Sequence, residues 1–108
     1  MDVEVLTVPD CPHRAETVAR LRAALAAART VGAVVTERVI ANGAQADAGG
    51  MNGSPTILVD GLDLFGVEST GPSMSCRLYR SQAGIEGAPT VDALIDALTN
   101  RGQGARDG

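Results

Sequence analysis

Val3-Glu4-Val5-Leu6-Thr7-Val8-Pro9-Asp10-Cys11-Pro12-His13-Arg14 is the stretch on which the fold turns. Val3 to Val8 is apolar apart from Glu4 and Thr7, and reads as a buried strand. Pro12 suits the first turn of a helix, where its missing N–H costs nothing. That start places Asp10 or Cys11 near the N-cap. Val18, Leu21, Leu25 and Ala28 follow at helical spacing and form one apolar face. The alanine-rich run from Ala23 to Ala28 favours helix, and Gly32 marks its end. A strand therefore delivers a cysteine to a helix start. Free N–H groups there favour an anion, and so the thiolate. Thiolates attack disulfides and bind soft metals.

Working outward, Ala33 to Ile40 is rich in Val, Thr and Ile and reads as a second strand. Glu37 and Arg38 interrupt it, which suits an edge position. Asn42 to Gly53 is polar and glycine-rich, with a short helix expected around Ala44 to Ala48. In Gly53-Ser54-Pro55-Thr56-Ile57-Leu58-Val59-Asp60-Gly61, a proline opens a third strand, Thr56 to Val59. Asp60-Gly61 is a hairpin signal, with Leu62 to Phe65 as the returning strand. The connection from Gly66 to Ala88 is long and carries Cys76, with a turn of helix expected within Met74 to Arg80. Thr90 is an N-cap candidate, and Val91, Leu94, Ile95 and Leu98 predict an amphipathic helix. The order of elements predicts an α/β fold. Its mixed sheet has about four strands, the first strand central and helices on both faces.

With 108 residues, one domain is expected over 1–100, followed by a polar, flexible tail at 101–108. Phe65 and Tyr79 are the only aromatics, so the core rests on aliphatic side chains. The net charge of -4 argues against a nucleic-acid partner. Every basic side chain is an arginine, and the arginines are scattered. No segment approaches the ~20 apolar residues of a membrane span, so no membrane partner is expected. Asp2 and Glu4 stand where a secretory signal would be basic, which makes the cytoplasm the expected compartment. There, two cysteines are more often reactive or reduced than structural. One histidine and two cysteines fall short of a closed zinc site. Gly49-Gly50 and Gly53 lack the lysine of a phosphate loop. No metal and no cofactor is expected.

Asp10-Cys11-Pro12-His13 after the first strand, Ser54-Pro55-Thr56 opening the third, and the Asp60-Gly61 hairpin together resemble the thioredoxin-like superfamily. The likeness extends to about Leu98. Ser75-Cys76-Arg77-Leu78-Tyr79 and Gly87-Ala88-Pro89-Thr90 further resemble small bacterial thioredoxin-family proteins with a Cys-Pro-x-Cys motif. The resemblance implies that Cys11 is the nucleophile and that Pro55 is cis and packs beside it. The family's resolving cysteine falls at position 14, where this chain has Arg14, so a Cys-x-x-Cys disulfide cannot form.

The residues and the resemblance give catalytic candidates Cys11 and Cys76, and substrate-binding candidates Pro12, His13, Ser54 and Pro55. Arg14 and His13 are expected to favour a Cys11 thiolate, and Asp10 to oppose it. The Ser54 backbone is expected to pair with an extended substrate. The expected function is a thiol–disulfide oxidoreductase, with a thiol or disulfide substrate on a protein or a glutathione-like molecule. Cys76 or an external thiol resolves the intermediate. The alternatives are a soft-metal or organometal binding protein that uses Cys11 and Cys76, and a redox-inactive thioredoxin-like scaffold.

Overall fold

The computed structural model describes residues 1–30, 32–66, 73–81 and 84–107, without the side chains of 73–76, 80–81 and 101–107. Part of the long connection, 67–72 and 82–83, lies outside the described residues. The elements in order are β1 (Asp2–Thr7), α1 (Arg14–Ala27), β2 (Val34–Val39), α2 (Gly43–Gly49), β3 (Asn52–Ser54) and β4 (Thr56–Val59). Then come β5 (Leu62–Asp63), β6 (Ser73–Cys76), β7 (Tyr79–Ser81), β8 (Gly84–Glu86) and α3 (Val91–Asp107). Four strands form a mixed sheet in the order β2-β1-β4-β5. β1 runs parallel to β2 and antiparallel to β4, so the Val-rich first strand is internal.

Alternation along β1 divides the apolar residues between two cores. Val3 and Val5 join Ile57 and Val59 of β4, and pack with Leu21, Ala24 and Leu25 of α1 and Leu94 and Leu98 of α3. Leu6 joins Leu58, Ile40, Ala46 and Met51 on the opposite face, beneath α2. Helices therefore cover both faces of the sheet. Each fully buried leucine here contributes roughly 1.5–3 kcal/mol relative to an exposed one.

Local chemistry accounts for the element ends. α2 is closed at its start by the Asn42 side chain, which accepts from the Gln45 N–H, while Gln45 Oε1 accepts from the Ala41 N–H. Gly50, at φ 75°, closes the other end in a left-handed conformation that glycine adopts without strain. Asp60 and Gly61, at φ 50° and 86°, form the two-residue turn between Val59 and Leu62. α3 starts after Thr90, whose Oγ1 accepts from the Ala93 N–H.

Several expectations need correction. α1 starts at Arg14, with His13 at the N-cap, and not at Pro12. Two successive turns precede it, closed by the Cys11 N–H on the Val8 carbonyl and the Arg14 N–H on the Cys11 carbonyl. Pro12 takes the second position of the latter turn, which proline favours. The same helix stops at Ala27, before Gly32. The Arg29 and Thr30 N–H groups cap the Ala26 and Leu25 carbonyls, with Arg29 itself left-handed at φ 54°. The expected helical turn within Met74 to Arg80 is extended chain instead. β6 pairs in parallel with β3, and β7 with β8 in antiparallel. Backbone partners far away in sequence decide that segment, and no local pattern announces them. The returning strand of the hairpin also ends early. Asp63 Oδ1 accepts from the Phe65 N–H and turns the chain after two strand residues.

Candidate functional site

β1 delivers Cys11 to one end of the sheet, and β4 begins at that same end because it runs antiparallel to β1. Cys11 is free and partly buried. Asp10, at φ 58°, bends the chain immediately before it. The Cys11 N–H donates to the Val8 carbonyl at 3.3 Å, and the Val8 N–H donates to Ser54 Oγ at 3.1 Å. The first bond closes the cysteine loop on itself, and the second ties that loop to the Ser54-Pro55 corner. The Ser54-Pro55 peptide bond is cis.

The corner is held from below by Thr56. Its hydroxyl donates to the Gly53 carbonyl at 2.5 Å and accepts from the Asn52 N–H at 2.9 Å. A third segment joins from β6. Cys76 is the strand partner of Ser54, and the Arg77 N–H donates to the Ser54 carbonyl at 3.0 Å. The Ser54 backbone, expected to pair with an extended substrate, has its carbonyl engaged within the chain. Ser54 thus contacts two segments distant in sequence, the loop before Cys11 through its Oγ and the Cys76-Arg77 segment through its backbone. The Cys76 side chain lies outside the described residues.

Next to this corner lies a buried polar network. Asp63 is only 2% exposed at its side chain and takes both arms of the Arg77 guanidinium, at 2.5 and 3.2 Å. Asp63 also accepts from Asn52 Nδ2 at 2.9 Å. Arg77 donates further to the Gly66 carbonyl at 3.3 Å and lies 5.0 Å from the centre of the Tyr79 ring. Burial opposes the Arg77 charge, but the Asp63 hydrogen bond and the nearby acidic groups outweigh it and raise the guanidinium pKa. The Tyr79 hydroxyl donates to the Pro55 carbonyl at 2.5 Å, and its ring meets Phe65 edge-on at 5.1 Å. Burial pushes the phenol pKa well up, against the opposing influence of Arg77, so Tyr79 remains a neutral donor.

On the helix side, His13 is half-buried and not simply solvated. A Cβ placed on Gly87 would lie 2.6 Å from His13 Cδ2 and 2.8 Å from Cε1, and nearer still to Nε2. The imidazole thus packs on the bare backbone of Gly87, in the loop that leads to α3. His13 Nδ1 is 3.7 Å from Glu16, which is paired with Arg20. Arg20 in turn reaches Glu86 at 3.7 Å and donates to the Pro89 carbonyl at 3.1 Å. Arg14, expected to bear on Cys11, has its guanidinium 3.8 Å from Glu37 of β2. Pro12 is exposed.

Sequence reasoning singled out Cys11, Pro12, His13, Ser54, Pro55 and Cys76, and missed Asn52, Asp63, Gly87 and the Tyr79 hydroxyl. One signal was available: Asp63 is an acid inside the apolar run Leu62 to Phe65. An acid in such a run calls for a buried cation. Among the described residues, no group of three or more His, Cys, Asp or Glu side chains is placed to hold a metal ion. No helix among them is long and apolar enough to cross a membrane. In comparisons with known proteins, the chain matches no family model, no curated protein and no solved structure.

Proposed function

We propose that this protein is a thiol–disulfide oxidoreductase of the thioredoxin-like class, with Cys11 as its nucleophile. The observation that supports the reading is Ser54, whose Oγ accepts from the Val8 N–H of the cysteine loop and whose backbone is in strand register with Cys76. The central position of β1 and the helix start that follows Cys11 support it. Cys11 attacks one sulfur of a substrate disulfide and forms a mixed disulfide, while the other substrate sulfur leaves as a thiolate. Cys76 or an external thiol such as glutathione then attacks the Cys11 sulfur and releases the second half of the substrate. Arg14 replaces the neighbouring thiol of a dithiol motif, so the resolving group has to come from elsewhere. The Ser54-Pro55 corner and the His13 side chain would border the bound substrate.

The test is reaction with oxidised glutathione, followed by intact-protein mass and peptide mapping. A glutathione adduct or disulfide that involves Cys11 is expected, together with glutathione-dependent reduction of a disulfide substrate. Cys11→Ser should reduce both to background. A wild-type protein that forms no Cys11 adduct refutes the reading. If it instead binds one equivalent of mercuric ion through both cysteines, the function is soft-metal binding.

A further inference from the structure

We infer that the buried Asp63–Arg77 pair is a positioning device, which holds the Cys76 backbone against the Ser54-Pro55 corner and so sets how readily the second thiol resolves a Cys11 mixed disulfide. This rests on the proposed oxidoreductase reading. Four contacts hold Cys76 and the residues just after it. The residue itself is in strand register with Ser54, and the adjoining Arg77 N–H bonds the Ser54 carbonyl at 3.0 Å. Three residues on, the Tyr79 hydroxyl bonds the Pro55 carbonyl. The Arg77 side chain adds the fourth, its guanidinium gripping Asp63 with both arms. Asp63 is fixed by Asn52 Nδ2 and the Phe65 N–H, so the grip reaches β3 and the hairpin end together.

The chemistry makes that grip consequential. Oxidised glutathione gives a Cys11–glutathione bond and one glutathione thiolate. Cys76 then attacks the Cys11 sulfur, forms Cys11–Cys76 and releases a second glutathione thiolate. The protein loses two electrons and glutathione disulfide gains them. The first step needs Cys11 alone. The second depends on the effective concentration of Cys76 at Cys11, which falls when its segment is untied. A lysine in place of Arg77 keeps a charge but loses the planar fork that fits a carboxylate.

The experiment is equilibration of wild type, Arg77→Met and Arg77→Lys with glutathione redox buffers, after circular dichroism has checked folding. The readouts are the rate of Cys11 glutathionylation and the equilibrium constant for the Cys11–Cys76 disulfide. Arg77→Met should glutathionylate within about twofold of wild type and lose about tenfold or more in the disulfide constant, as expected for a contribution to positioning. Arg77→Lys should fall between the two. An unchanged disulfide constant in folded Arg77→Met overturns the inference and leaves the oxidoreductase reading intact. If Arg77→Met does not fold, Arg77→Lys decides: a lowered constant supports the inference and an unchanged one overturns it. A wild type that stops at the glutathione adduct overturns it as well, and identifies a monothiol enzyme. A wild type with no adduct removes the underlying reading.

Discussion

Tyr79→Phe isolates one hydroxyl in a buried setting, and its cost can be worked from its surroundings. The ring, its edge-on contact with Phe65 and its place over Arg77 all survive the change. What is lost is the donor to the Pro55 carbonyl, a bond between buried groups. A buried carbonyl deprived of its donor costs about 1–3 kcal/mol. The substitution should therefore lower unfolding stability by about that amount near neutral pH, measured by urea titration with an unchanged m-value. A second signature appears in alkali. Tyr79 has its pKa raised in the folded chain above the 10.0 of the free phenol. Its contribution is thus complete below pH 10 and is lost as pH rises towards the folded value. In that window the unfolded chain has released the proton and the native chain still holds it. Stability should then fall with a slope that approaches about -1.4 kcal/mol per pH unit from this group. Tyr79→Phe removes that part of the slope, so the two proteins should converge in stability as pH rises above 10. A loss below about 0.5 kcal/mol at pH 7, with parallel alkaline slopes, would show that the hydroxyl is neither buried nor bonded as described.

Two further substitutions probe local geometry. Gly87→Ala should cost under about 1 kcal/mol, because its methyl group meets the far end of the partly exposed His13 imidazole, which can turn aside, and the cost should vanish in a His13→Ala background. Urea denaturation of the four proteins of that cycle checks it, and purely additive losses would dissociate the two residues. Arg29→Gly should raise stability by up to about 1 kcal/mol, since it relieves a left-handed residue at the end of α1. Thermal unfolding of the variant reads this directly, and a decrease would mean that the arginine side chain makes up for its backbone strain.

The elements legible in the sequence are those that bury a periodic apolar face. β1, α1 and α3 announce themselves through Val3 and Val5, Leu21 and Leu25, and Leu94 and Leu98, which meet in one core. The β4–β5 turn is equally plain, because Asp60-Gly61 is chemistry specific to a two-residue hairpin loop. β3, β6, β7 and β8 are different. Each has three or four residues; Asn52-Gly53-Ser54 carries no apolar alternation, and that of Ser73-Met74-Ser75-Cys76 is too short to distinguish a strand from a loop. Their state is fixed by partners such as Ser54 for Cys76, which lie tens of residues away. The site divides along the same line. Cys11 and Pro55 stand out through their local context. Asp63 and Arg77 gain their meaning only once the chain brings an acid and a cation into one buried place. His13 could be identified in the sequence, but not the glycine on which it rests.

The composition of β2 bears on how this protein behaves at high concentration. The strand lies at the edge of the four-stranded sheet, with Val34 58% and Val39 49% exposed. Such an edge invites a second copy to add its own β2 in antiparallel. Residues directly opposed across an antiparallel pair share a face, so a two-fold pairing must be centred on a residue facing its own copy. The middle of the strand is Thr36-Glu37-Arg38. A pairing centred on Glu37 sets carboxylate against carboxylate, and one centred on Arg38 sets guanidinium against guanidinium. Two of the three central registers are thus self-repelling. The two charges that break the apolar pattern of this strand act as a guard against ordered aggregation along its open edge.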